Sequence, residues 1–136
     1  MKSKVTLKDQ MHFMGELDGH DVPIDAAEQF GGQDKGPKPK GLTLTALAGC
    51  TAMDVISILR KMKVEPDDFS VEADADVSEE HPMVFTKIKL IYRLTGKDIP
   101  RDKVEKAVHL SQDRYCGVSA MLQKAAPVDY EIIIEE

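Results

Sequence analysis

Residues 42–62 run LTLTALAGCTAMDVISILRKM. Leu42, Leu44, Leu47, Cys50, Met53, Val55, Ile56, Ile58 and Leu59 fall on nearly every face of a helix. A helix that is apolar all round belongs inside a large core or inside a membrane. Asp54 stands at its middle and Arg60, Lys61 and Lys63 crowd one end, which leaves an uncharged run shorter than the roughly 20 residues of a membrane span. The expectation is a central helix buried on every side and surrounded by sheet, with no membrane partner.

Working upstream, Gly31-Gly32-Gln33-Asp34-Lys35-Gly36-Pro37-Lys38-Pro39-Lys40-Gly41 carries almost no apolar surface and reads as a mobile loop. It is not a phosphate-binding loop, because Pro37 follows Gly36 where that motif requires lysine. Between Lys4 and Glu16, Val5, Leu7, Met11 and Phe13 alternate with one slip near Asp9 and Gln10, the period of a strand. Asp18-Gly19 is a strong turn dipeptide, so Asp21 to Ala26 is the expected hairpin partner.

Downstream, Asp67 to Val77 and Val84 to Leu94 alternate and are separated by Glu79-Glu80-His81-Pro82, which predicts an antiparallel pair. Gly96 ends the second strand, Pro100 suits a first helical turn, and Val104, Ala107, Val108, Ser111 and Tyr115 recur at helical spacing. Gly117 breaks that helix, a short one covers Val118 to Lys124, and Val128 to Ile134 forms a last strand after Pro127. The expected organisation is one α+β domain over 1–136. N-terminal strands occupy 1–30, the loop 31–41, the central helix with Cys50 42–63, and the strand pair 67–95; helices with Cys116 occupy 100–125, and the last strand 127–135.

At 136 residues and 42% apolar content the chain can build a continuous core. A formal charge of -6, with its 18 basic residues scattered, excludes a phosphate-backbone partner such as nucleic acid. Lys2, Lys4, Lys8 and Asp9 interrupt the first residues and no apolar run follows, so no secretory signal is read and the cytoplasm is expected. In that reducing compartment two cysteines far apart in sequence are either packed in a core or reactive, and a structural disulfide is not expected. His12, His81 and His109 sit in separate elements without ligand spacing, so no metal and no cofactor are expected.

Thiol chemistry requires a thiolate, and a thiolate requires a cation, a helix N-terminus or a donor nearby. Cys116 has Arg114 two residues before it and a helix break at Gly117 after it, both of which lower a thiol pKa. Cys50 lies mid-helix with Asp54 one turn on, a neighbour that raises it. Either cysteine can equally well be a space-filling core thiol.

Three segments taken together, Gly36-Pro37-x-Pro39, Leu44-Thr45-Ala46-Leu47-Ala48-Gly49-Cys50-Thr51-Ala52-Met53-Asp54-Val55 and Ser111-x-x-x-Tyr115-Cys116-Gly117-Val118-Ser119-Ala120-Met121-Leu122, resemble the OsmC/Ohr family of osmotically inducible and organic-hydroperoxide-resistance proteins. The resemblance runs from the Gly19-His20 hairpin to Tyr130-Glu131-Ile132. It implies an intertwined homodimer, with antiparallel sheets from both chains around two central helices. It also implies a peroxidase cycle in which Cys50 attacks the distal oxygen of an organic hydroperoxide. The resulting sulfenic acid condenses with Cys116 to a disulfide, and a dithiol reductant, lipoyl groups in some relatives, restores both thiols.

The sequence departs from the resemblance at two places. Lys40 and Gly41 stand where peroxidase members carry a glutamate, and no arginine precedes Arg60, so the arginine that contacts the thiolate in the family has no counterpart. His20, Lys40 and Arg114 are the candidate replacements, beside the ordinary reading of each as a solvated surface group. Asp54 is either a hydrogen-bonded structural carboxylate or the partner of a cation that also serves Cys50. Two functions follow: a thiol peroxidase, or a member with a degraded site that binds a small apolar or thiol-reactive ligand.

Overall fold

Asp18 and Gly19 both adopt positive φ, 53° and 77°, the backbone of a two-residue type I′ hairpin. They join β2 (His12–Leu17) to β3 (His20–Ile24), with Leu17 paired to His20. Upstream, β1 (Ser3–Asp9) pairs antiparallel with β2, so order in this sheet is β1-β2-β3. The expected single strand from Lys4 to Glu16 is therefore two. The slip near Asp9 is a turn, made possible because Gln10 takes φ 49°, and the register shifts between Leu7 and Asp9 as it is approached.

The stretch after β3 is a loop that one carboxylate ties together. Asp25, 2% exposed, accepts the backbone N–H groups of Ala26, Gln33 and Lys35 at 2.8, 3.1 and 3.2 Å, and its own N–H reaches the Pro37 carbonyl at 3.1 Å. One carboxylate thus supplies the order that apolar side chains do not. A 3-10 turn at Glu28–Phe30 lies within it. Gly32 is required there, because a Cβ would sit 1.7 Å from the Ala26 carbonyl oxygen. Burial acts to raise the Asp25 pKa, but the three amides and the nearby His12 outweigh it and hold the carboxyl below its usual 3.8.

The long helix α1 (Pro39–Lys61) starts earlier than expected, with proline at a position where its missing N–H costs nothing. The computed structural model describes residues 1–136 and divides into two compact units, Met1–Thr43 and Leu44–Glu136. The second unit holds most of α1, β4 (Asp68–Val77), β5 (Phe85–Thr95), α2 (Arg101–Leu110), a π turn at Ser111–Tyr115, α3 (Gly117–Gln123) and β6 (Val128–Glu135). The fold is α+β, with two three-stranded sheets.

The expected antiparallel β4/β5 pair is present, and Ile88, Leu90, Tyr92 and Leu94 point into the core. However, β6 lies parallel to β5, with Ile88 opposite Val128, so the second sheet is mixed where antiparallel strands alone were expected. A parallel neighbour needs a crossover long enough to carry the chain back along the sheet, and α2, the π turn and α3 supply it.

Two further expectations change at the helices. Only Leu47, Thr51, Val55 and Leu59 of α1 are fully buried, a single stripe at four-residue spacing, while Met53 is 73% exposed. The helix is therefore not enclosed on every side by this chain. By length and composition alone it could cross a bilayer, although Asp54 interrupts its uncharged run as the sequence suggested. What assigns α1 to a core is its packing: Leu47, Val55 and Leu59 join Ile88, Leu90, Leu94, Val104 and Val108 in one apolar cluster. Finally, α2 does not run regularly to Tyr115. It gives way to the π turn, where the Cys116 N–H bonds the Ser111 carbonyl at 2.8 Å, and Tyr115 is left exposed.

Candidate active site

Cys50 and Asp54 are one turn apart on α1 and share a face. The π turn delivers the third group. Cys116 leaves the helical region at φ -77°, ψ 99° and caps α3, its Sγ accepting the Ser119 N–H at 3.4 Å. The two sulfurs and a carboxylate oxygen of Asp54 come to lie within 4.8 Å of one another. Both cysteines are free thiols, Cys50 half-buried and Cys116 buried.

Behind this trio runs a polar chain inside an apolar wall. Thr51 Oγ1 lies 2.7 Å from the Tyr92 hydroxyl and 2.8 Å from Ser111 Oγ, and accepts Gln112 Nε2 at 3.0 Å. Ser111 Oγ donates to Asp54 Oδ2 at 2.9 Å. Gln112 also donates to the Tyr92 oxygen at 3.2 Å and accepts from Ser119 Oγ at 2.7 Å, and Gln123 Nε2 donates to Ser119 Oγ at 3.0 Å. Each hydroxyl has one hydrogen to give. Since Ser111 gives its own to Asp54, Thr51 must donate to Ser111 and Tyr92 to Thr51. The whole chain is thereby polarised toward the Asp54 carboxylate.

Burial, first of all, pushes the Cys116 thiol up to about 11; the hydrogen bond to Cys50 and the charges of Cys50 and Asp54 add to it, and the Ser119 N–H opposes. The lowering expected from Arg114 and the helix end is thus reversed. Arg114 is exposed, its guanidinium 5.8 Å from the Tyr115 ring centre, and it is not among the groups that act on the sulfur. The Tyr92 hydroxyl is likewise pushed up to about 12, chiefly by burial. At neutral pH Cys116 is a protonated donor, and the more accessible Cys50 sulfur is its acceptor.

Of the residues singled out from sequence, the structure brings together Cys50, Asp54 and Cys116. His20 and Lys40 belong to the first compact unit: His20 opens β3 opposite Leu17, Lys40 lies in the first turn of α1, and both are exposed. Sequence reading missed the roles of Thr51, Tyr92, Ser111, Gln112, Ser119 and Gln123. The available signal was polar side chains on apolar faces, Ser111 following Val108 and Tyr92 between Leu90 and Leu94. Cys50, Asp54 and Cys116 are also the residues able to hold a metal ion, a grouping that the long sequence separation conceals. Two shallow grooves lie elsewhere on α1, lined by Met53, Ile56 and Arg60, with Phe69 in one of them.

The sequence pattern of the family described as OsmC-like protein matches residues 32–131, the span that contains both cysteine segments. The chain belongs to the OsmC-like family. Protein YhfA of Escherichia coli strain K12 is 36% identical to this OsmC-like chain over 98% of both lengths. A hypothetical protein from Aquifex aeolicus VF5 superimposes with a TM-score of 0.83 at 26% identity, covering 99% of this chain and 97% of its own. The organic hydroperoxide resistance protein OhrB of Bacillus subtilis shares the fold, with a TM-score of 0.69 at 19% identity and 96% of each chain covered.

Proposed function

We propose that this OsmC-like protein reduces organic hydroperoxides with the Cys50/Cys116 pair. The observation that carries the reading is the meeting of two free sulfurs, one from α1 and one from the cap of α3, within 4.8 Å. The name of its structural relative in Bacillus subtilis, an organic hydroperoxide resistance protein, supports the substrate class. In the reaction the Cys50 thiolate attacks the distal oxygen of ROOH, the O–O bond breaks, and the alkoxide leaves as ROH after taking a proton. Cys50 becomes a sulfenic acid. Cys116 then attacks that sulfur, water leaves, and a disulfide forms. A dithiol, of lipoyl type in the family resemblance, reduces it by exchange. Cys116 is placed for the second role because it is buried beside Cys50, to which its thiol donates.

The same reading takes the protein as a homodimer in the reducing cytoplasm. The uncovered side of α1, with Met53 outermost, is the surface a second copy would cover. The test is consumption of an alkyl hydroperoxide with a dithiol reductant. The native protein is expected to turn over, Cys50→Ser to be inactive, and Cys116→Ser to stop after a single equivalent. Equal turnover in native protein and Cys50→Ser, or none in either, removes the proposal.

A second reading draws on the two shallow grooves of α1, where Met53 and Ile56 lie beside Arg60. It makes the protein a binder of a small apolar ligand. Saturable binding of such a ligand without peroxide turnover distinguishes it.

A further inference from the structure

We propose that, in the reduced protein, Cys50 Sγ, Cys116 Sγ and one carboxylate oxygen of Asp54 form a binding site for a thiophilic divalent cation, zinc above all. The inference does not depend on the peroxide chemistry, although it uses the same sulfurs.

Geometry carries it. The three ligand atoms lie within 4.8 Å of one another, and tetrahedral zinc with Zn–S bonds of about 2.3 Å places its sulfurs about 3.8 Å apart. A small change of side-chain torsion closes that gap. Cys50 and Asp54, at i and i+4 on one helix, form a preset two-residue clamp, and the cap of α3 brings the third ligand to it.

The surroundings are those of a built site. Ser111 Oγ holds Asp54 Oδ2 at 2.9 Å, orienting the carboxylate and leaving its other oxygen for the ion. The Ser119 N–H does the same for Cys116 Sγ at 3.4 Å. Outer contacts of this type orient metal ligands and contribute to affinity. Ser111 is fixed in turn by Thr51, which Tyr92 and Gln112 hold.

Charge and softness select the ion. Two coordinating thiolates and a carboxylate are strongly negative together, which suits a divalent cation. Thiolate ligands favour zinc over magnesium or calcium. Three protein ligands leave a fourth position for water or an incoming molecule, and half-buried Cys50 provides the way in. Binding moves no electrons: each thiol that coordinates releases its proton to solvent. A disulfide between the same sulfurs offers no thiolate, so oxidation expels the ion.

The test is titration of the fully reduced protein with Co²⁺ and then Zn²⁺ without oxygen. The expected result is a sulfur-to-cobalt charge-transfer band that saturates at a single ion per chain and is displaced by zinc. The band should vanish in Cys50→Ser, in Cys116→Ser and after disulfide formation. Asp54→Asn should weaken affinity by about 10- to 100-fold, and Ser111→Ala, which keeps every ligand, by about tenfold. Circular dichroism checks that each variant folds. No band in the reduced native protein overturns the site, as does a band that survives unchanged in folded Cys116→Ser or in the oxidised protein. If Asp54→Asn does not fold, unchanged affinity in Ser111→Ala overturns the carboxylate's part. Peroxide turnover without a cobalt band removes this site alone, and a band without turnover removes the peroxidase alone.

Discussion

The Ser119 amide and the surrounding core act on the Cys116 sulfur in opposite senses. As a donor, the amide favours the thiolate; burial, the Cys50 sulfur and the Asp54 charge favour the thiol, and together they prevail. With the value raised from 9.0 to about 11, the unfolded chain loses this proton at lower pH than the native one. The thiol's contribution to stability is therefore intact below pH 9 and falls as pH rises toward 11. In Cys50→Ala the hydrogen bond and the neighbouring charge both disappear while the burial stays. The Cys116 value should fall from about 11 but remain above 9.0, as read by ultraviolet thiolate absorbance against pH; an unchanged value would show that the sulfurs do not interact. The helix end beside Gly117 was legible in the sequence. The sign of the shift was not, because burial is supplied by α1, β5 and α2, which no window around Cys116 contains.

Among the elements, α1, β5, the π turn and α3 meet through side-chain hydrogen bonds as well as apolar contact. Thr51 is the node: its single oxygen serves Tyr92, Ser111 and Gln112. Thr51→Val keeps the shape, removes the oxygen and leaves the buried Tyr92 hydroxyl without its acceptor, while Ser111 keeps Asp54 and Gln112 keeps the Tyr92 oxygen. It should lower stability by about 1–3 kcal/mol, seen as a lower urea midpoint with an unchanged slope. A stability within error of the native protein would mean that the chain of hydrogen bonds does not bear on folding. Alternation and turn residues made the strands readable, from the Asp18-Gly19 hairpin to the inward set Ile88, Leu90, Tyr92 and Leu94. Two features escaped that reading for physical reasons. Asp25 organises the loop after β3 through backbone amides that composition does not reveal. The π turn fits one extra residue between buried Ser111, which bonds Thr51 and Asp54, and Cys116, whose N–H reaches the Ser111 carbonyl, an arrangement whose partners are distant in sequence.

For the whole molecule, the question raised by α1 is what covers it. Its buried stripe faces the chain's own sheet and helices, whereas Met53 stands in solvent, and a second copy is the occupant that the proposed homodimer supplies. A chain of 15.1 kDa should then sediment at about double that mass, and Met53→Glu should shift it toward the single-chain value, since burying an unpaired charge at an interface is costly. Sedimentation of the native protein as a single chain would exclude the dimer. The helical periodicity announced an apolar surface; which molecule buries it is not written in one chain's pattern. The parallel pairing of β6 with β5 has a consequence for biosynthesis. During translation one border of β5 emerges before the strand that will occupy it, because Ile88 must await Val128. Until the C-terminus leaves the ribosome, that border is an unpaired ladder open to adventitious strands, so truncations that remove β6 should yield inclusion bodies rather than a smaller soluble protein.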